Sequence, residues 1–509
     1  MKRRVERSAW LWAARLLMIT AALACGAIGA EAVCRALDGY RLDSTALRTV
    51  RQPRRVKEAA PDLPYMTKIP RAPAVSLAWY FERPKEIPRI PLTPALQKRA
   101  DEYPTEPWSA FFEWNLAYLR YQACQPERDV VMGGLRDFYY FESTNGSRYP
   151  SYRHLPHISP PNWFVTNGFG WRGPDVALNK PPDTIRIAFV GASTTVDAFG
   201  VPFSHPELVG YWLNRWSAAK GLSYRFDVIN AGRMGINSNS IAAIVTEELL
   251  PVEADLVIYY EGANQLWPAQ LVTVNGARAD ERPKATVRTR TSAEDYSALA
   301  RRAVALVDRL QARGGYEPRK PSATINWPTG VDERDPALGP ELPMGLPNIL
   351  DGLDNIRKTL AASGAELVLS SFVWIVHDGM RLDLGRDLTL YNYLNQTYWP
   401  FTYAAMRRIA DFQNRVFEKY ARVHQLPFID MAAEFPQDPA LAGDAVHLRY
   451  QGLVLQAWIY LQRLIPLIED RLADGRLPRR QAVTRSVHPA FDQPSPRLIT
   501  LDQLRASCR

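Results

Sequence analysis

The sequence predicts an α/β protein: a mostly parallel, five-stranded sheet with helices on both faces, in a three-layer α/β/α arrangement. Two patterns predict it. The first is a set of five short apolar or β-branched runs at 185–191, 226–230, 255–260, 366–376 and 426–431. The second is the helical periodicity between and after them, at 206–220, 238–250, 346–362, 402–423 and 451–472. Strands that are apolar throughout are buried on both faces. Strands separated by helices connect as right-handed crossovers within a parallel sheet.

Each element has its own reason. The run 185–191 (Ile-Arg-Ile-Ala-Phe-Val-Gly) ends in a small residue, which frees the chain to turn. In 206–220, Leu208, Trp212, Leu213 and Trp216 fall on one helical face. The run 255–260 (Asp-Leu-Val-Ile-Tyr-Tyr) is followed by Glu-Gly, a strand end. Between 266 and 345 an insertion interrupts the rhythm, with a helix expected at 293–311 and then a proline-rich run. It leaves the carboxyl edge of the third strand, where ligands bind in open α/β sheets, so it reads as a lid, a partner surface or an idle excursion.

The 509 residues exceed one ordinary domain. A hydrophobic share of 47% with 23% charged residues supports a packed core and excludes wholesale disorder. The net charge of +9 forms no continuous stripe, and no nucleic-acid-binding signature accompanies it, so nucleic acid is not an expected partner. Residues 1–8 are a basic cytoplasmic terminus and 9–30 a transmembrane anchor, with Lys2, Arg3, Arg4 and Arg7 held inside. Small residues at Ala27, Gly29, Ala30 and Ala32 also fit a cleavage site, so a removed signal peptide is the alternative. Residues 31–130 read as a proline-rich stalk with a short helix at 108–125. Residues 131–180 read as an accessory segment with short strands at 138–141 and 162–165, and 181–475 as the α/β domain. Residues 476–509 read as a basic, poorly packed tail. Cys124 and Cys508 either pair in an oxidising compartment or stay free.

Four short motifs fall at the ends of successive strands or just before the last helix. They are Gly191-Ala192-Ser193-Thr194-Thr195, Gly232-Arg233-Met234-Gly235, Gly262-Ala263-Asn264-Gln265 and Gly443-Asp444-Ala445-Val446-His447. Alone, each has a plain explanation as a cap, a turn or a solvated histidine. Together they line one sheet edge with a hydroxyl, candidate N–H donors and an Asp–His pair. That is the equipment for acyl transfer through a serine nucleophile.

In these four motifs the chain resembles the SGNH/GDSL hydrolase superfamily of the membrane-anchored bacterial envelope type, over roughly 185–472. The resemblance implies a flavodoxin-like fold. It implies Ser193 as nucleophile and first oxyanion donor, Gly235 (before Gly232) and Asn264 as further donors, and His447 as base oriented by Asp444. The first motif departs from the common Gly-Asp-Ser, and Gln265 stands where Asp is frequent. Residues 166–174 (Thr-Asn-Gly-Phe-Gly-Trp-Arg-Gly-Pro) resemble a segment that precedes the domain in anchored members. No metal or cofactor is implied. The expected activity is hydrolysis of O-acyl esters, acetyl foremost, on envelope or extracellular polysaccharide. The expected location is the inner (cytoplasmic) membrane, with the domain periplasmic or extracellular. Polysaccharide O-acyl transfer and a non-catalytic assembly role are the competing readings; protein partners are not specified. Trp267, Trp374, Tyr391, Tyr393, Tyr398 and Trp399 are candidates for stacking on sugar rings or for the core, and His377 for facing the cleft.

Overall fold

A computed structural model describes residues 2–38, 40–45, 61–94, 153–159, 164–197, 200–266, 268–282, 297–311, 320–339, 346–480, 482–491 and 497–508. Shorter pieces are described at 47, 97, 114–115, 120, 123–124, 137–141, 293, 296 and 342–344. The chain divides into two compact units. One comprises Met1–Ala59, Lys284–Tyr316 and Arg381–Leu388, the other Ala60–Pro283, Glu317–Met380 and Thr389–Arg509.

The larger unit holds the sheet. Its elements, in chain order, are β1 (Thr184–Gly191), α1 (Ser193–Val196), α2 (His205–Lys220), β2 (Arg225–Asn230), α3 (Ser238–Ile244) and β3 (Leu256–Tyr260). Then come α4 (Pro347–Ser363), β4 (Glu366–Ser370), α5 (Tyr403–Val423), β5 (Phe428–Ile429) and α6 (Tyr450–Ala473). The strand order is β2-β1-β3-β4-β5 and every pairing is parallel. The order reverses between β1 and β3, which opens a crevice at their carboxyl ends. All eight residues of β1 and all five of β3 are buried; β3 is apolar throughout, while β1 also buries Arg186, which is paired with Asp227 and donates to Val252 O.

Side-chain alternation shows that both faces are covered. Tyr260 of β3 meets Tyr460 of α6, and the adjacent Tyr259 meets Phe417 of α5 on the other face. Phe189 of β1 points to the α2–α6 side, against His205 and Tyr460. Each large apolar side chain fully buried in such layers contributes about 1.5–3 kcal/mol. Helix α2 starts where Ser204 and Glu207 form a reciprocal capping box and stops at Gly221, which takes the left-handed conformation that terminates helices. The 238–250 helix is α only to Ile244, then widens to a π-turn over Val245–Leu249. The fourth strand keeps its ladder only to Ser370. Ser371 N–H still donates to Ile429 O of β5 at 3.0 Å; farther on, Ile375 N–H donates to Ala445 O at 2.8 Å.

Three expectations need correction. Residues 61–80, within the expected stalk 31–130, are packed: Tyr80 is buried, stacked on Trp212 and edge-on to Trp458, whereas 81–94 hold no buried residue among those described. The tail is packed as well. Arg479 N–H donates to Asp255 at 2.9 Å, His488 is buried against Phe491, and Arg497–Thr500 pairs with Asp137–Tyr140. Proline removes a ladder donor, but it does not prevent burial of the aromatics between prolines, and basic residues do not prevent a short ladder such as that at Arg497–Thr500. Phe164 and Val165 lie in no strand; the neighbouring Thr166 makes a single bridge to Arg172. Most of the 108–125 helix lies outside the described residues. Cys124 and Cys508 are joined in a disulfide, with Cα atoms 5.4 Å apart.

The smaller unit contains the helix Lys2–Asp38 and the helix Ala298–Gln311 of the insertion. The first carries a 22-residue segment, Leu17–Asp38, whose most apolar 18 residues have a mean hydropathy of 1.9, long enough to cross a membrane; Glu31, Arg35 and Asp38 lie toward its end. That segment lies toward the carboxyl side of the expected 9–30 span. Glu31 caps the second helix by accepting the Ala298 and Leu299 N–H groups, both at 2.9 Å.

Candidate active site

Ser193 is the first residue of α1, directly beyond β1. The turn that delivers it demands glycine: a Cβ on Gly191 would lie 2.1 Å from Tyr260 O and from Thr195 Oγ1. As the first helical residue, Ser193 has an N–H with no acceptor inside the helix. Its Oγ–H faces His447 Nε2 at 2.8 Å. On the other side of the ring, His447 Nδ1–H donates to Asp444 Oδ2 at 2.7 Å. The Asp444 carboxylate is itself fixed, since its Oδ1 accepts the N–H groups of Val446 and His447, both at 2.9 Å. The loop closes on itself, with Gly443 N–H donating to His447 O at 2.8 Å. Burial works against the Asp444 charge, but the His447 ring and the two N–H groups together hold its pKa below the ordinary carboxylate value.

The β2 and β3 turns join the same edge. Gly235 adopts φ +70°, and its N–H has no acceptor among the described residues. Gly232 N–H is already spent on Asn230 Oδ1 at 3.1 Å, which singles out Gly235 of the two glycines as the free donor. Asn264 lies in the turn after β3. One Nδ2 hydrogen bonds Ile236 O at 2.9 Å and knits this turn to the β2 turn; an amide carries two such hydrogens, so one is left over. Gln265, in the position where the resembled family often has Asp, accepts from Ser238 Oγ at 2.7 Å. The structure therefore brings Ser193, Asp444 and His447 into one hydrogen-bonded chain and sets Gly235 and Asn264 on adjoining turns.

Three features were not legible in the sequence. Glu261 closes β3 and is fully buried. Burial pushes its pKa up to about 8, against the lowering effect of the nearby Asn264, Gly262, Ala192 and Ala263 N–H groups. It accepts Asn264 N–H at 2.8 Å, so it supports the third turn from below. The available signal was a carboxylate at the end of an apolar strand. The second feature is a buried pair, Asp197 and His205, with Nδ1 to Oδ2 at 2.9 Å. The third is Arg172, a buried guanidinium that donates to the carbonyls of Val196, Asp197 and Val201.

Trp374, Tyr391 and Tyr398 are core side chains, which removes them from the candidates for sugar stacking. Tyr393 and Trp399 are half-buried, and Trp267 lies outside the described residues. His377 Nδ1–H donates to the carbonyl of its neighbour Asp378 at 2.8 Å.

No family model matches the chain, and no curated protein does. Among solved structures, a GDSL-like lipase from Bacteroides thetaiotaomicron is similar at 13% identity and TM-score 0.26, over 56% of this chain and 88% of that one. An acetylxylan esterase from Geobacillus stearothermophilus is similar at 15% identity and TM-score 0.28, over 56% and 96% respectively. Likeness at this level carries no substrate information, and the functional reading rests on side-chain geometry.

Proposed function

We propose that this chain is a serine ester hydrolase of the SGNH/GDSL type that removes O-acyl groups, acetyl foremost, from an envelope or extracellular polysaccharide. One observation carries the reading: the chain Asp444–His447–Ser193, at 2.7 and 2.8 Å, at the carboxyl edge of the sheet. Asp444 fixes the tautomer that leaves Nε2 facing the serine. His447 takes the Ser193 Oγ proton as the oxygen attacks the ester carbonyl. The N–H groups of Ser193 and Gly235 and the free Asn264 amide hydrogen stabilise the resulting oxyanion. Collapse expels the sugar hydroxyl, which leaves with the proton from His447. Water, deprotonated by the same nitrogen, then releases the carboxylic acid and restores Ser193.

The apolar Leu17–Asp38 helix and the basic residues before it support a single-pass anchor in the inner membrane, with the hydrolase on the periplasmic or extracellular side. The test uses the full chain in detergent with an acetylated oligosaccharide. Wild type releases acetate, and Ser193→Ala lowers the rate at least ~10³-fold. Equal rates for the two would overturn the assignment. Acetate appearing on an added glycan instead of in solution would turn the reading to O-acyl transfer.

A further inference from the structure

The segment 166–174 has no part in the chemistry above, yet its folding is closely specified. Asn167 Oδ1 accepts the N–H groups of Phe169 at 2.9 Å and Trp171 at 3.1 Å. Gly170 sits at φ +72°, where a Cβ would fall 2.2 Å from His154 O. This tight loop sends two large side chains into the α/β unit. Trp171 Nε1–H donates to Glu248 Oε2 at 3.0 Å, and Arg172 runs a different way.

The Arg172 guanidinium is buried and reaches the far end of the nucleophile helix. Its Nη1 donates to Val196 O at 3.1 Å and to Asp197 O, and Nη2 donates to Val201 O at 3.0 Å. Nε donates to Glu207 Oε2 at 2.9 Å, the carboxylate that also caps α2 through Ser204 N–H at 2.7 Å. A helix as short as α1 has only end carbonyls, which need partners from outside. Asn230 Nδ2 takes Thr195 O at 2.9 Å, and Arg172 takes the next two. The Arg172 backbone also bridges Asn230. The C-terminal end of the helix that begins with Ser193 is thus held at two of its carbonyls by one cation, which is fixed in turn to the start of α2, beside the ties that Asn230 and the Asp197–His205 pair make to the same end.

We propose that Arg172 is a positioning residue for the nucleophile, and that the 166–174 loop exists to insert it. The proposal rests on the reading of Ser193 as nucleophile. Arg172 lies at the opposite end of α1 from the reacting oxygen, so its work is to fix the angle of that helix against His447. Reaction rates are steep in such geometry: a displacement of about 1 Å costs roughly 10²-fold. Substrate affinity does not depend on it.

The experiment compares Arg172→Gln with Trp171→Phe, which loses a bond from the same loop to Glu248 and none to α1. Both are assayed well below their melting temperatures for kcat, KM and the rate of labelling by a fluorophosphonate probe. Arg172→Gln is expected to lower kcat and labelling tenfold or more with KM within twofold, while Trp171→Phe leaves all three within twofold. A folded Arg172→Gln with wild-type kcat and labelling would overturn the proposal, as would equal losses in the two variants. Where Arg172→Gln fails to fold, Arg172→Lys decides: one ammonium cannot span the three carbonyls, so kcat should fall at least threefold, and wild-type kcat would overturn the clamp. Wild type that takes no label and releases no acetate would sink the nucleophile assignment itself. A labelled wild type matched by Arg172→Gln sinks the clamp alone.

Discussion

The molecule contains two Asp–His pairs of nearly equal geometry in very different places. In one, Asp444 binds His447 Nδ1 at 2.7 Å; in the other, Asp197 binds His205 Nδ1 at 2.9 Å. The first pair has side chains 15% and 19% exposed, the second 3% and 0%. His447 turns its second nitrogen to the Ser193 hydroxyl. His205 Nε2 has no partner among the described residues, and its ring is stacked on Tyr460 with centroids 5.6 Å apart. A carboxylate on Nδ1 therefore does not make a histidine a base. What makes one is a proton donor on Nε2 and a route for substrate to reach it. The second pair instead fixes the end of α1 to the start of α2, because Asp197 Oδ2 also accepts His205 N–H at 2.9 Å.

The same substitution in each pair separates the two roles. Asp444→Asn should lower kcat by about 10³–10⁴-fold, because the amide no longer enforces the useful tautomer. Asp197→Asn should leave kcat within about threefold, because the amide oxygen still accepts His205 N–H and Arg172 still holds the Val196 and Asp197 carbonyls, and should lower the free energy of unfolding by ~1–2 kcal/mol, as a charged acceptor becomes a neutral one. Steady-state kinetics and urea unfolding on both variants measure this. Matching kinetic losses would erase the distinction between the pairs.

A smaller effect comes from two carboxyl groups with opposite shifts. Asp444 has its pKa lowered from 3.8, so its contribution to stability is present above that value and is lost as pH falls through the lowered one. Glu261 is raised from 4.5 to about 8 and enters the fold protonated. Its burial costs no ionisation below pH 4.5; stability then falls as pH rises toward 8 and levels off above it. Glu261→Gln should flatten that slope, by a few kcal/mol at most, on the order given by a shift of this size. Unfolding midpoints at pH 5, 7 and 9 (about these values) read it directly, and an unchanged slope would place the titration elsewhere.

Much of this site could be read from the chain because its signals are local. Asp444 and His447 are three residues apart in one loop, and Ser193 and Asn264 close runs whose apolar continuity marks them as strands. The Asp197–His205 pair is nearly as local, but its lack of a hydroxyl partner depends on packing against Tyr460, more than 250 residues away. Arg172 acts through backbone carbonyls more than 20 residues away, and no residue type announces which carbonyl a guanidinium will find; Glu261 accepts N–H groups of its own turn, but its complete burial comes from the packing around the sheet edge. The packing of the proline-rich stretch escapes the sequence for a related reason. Proline forbids ladders, while the burial of Tyr80 comes from the Trp212 and Trp458 faces it meets, which its own neighbours do not encode.

The most direct measurement is to label the folded full-length protein with a fluorophosphonate and map the adduct by peptide mass. One adduct is expected, on Ser193, lost in Ser193→Ala and formed at least ~10²-fold more slowly in His447→Ala, while Asp197→Asn labels at close to the wild-type rate. An adduct on another serine, or a folded protein that takes no label, would contradict the assignment of Ser193 as nucleophile.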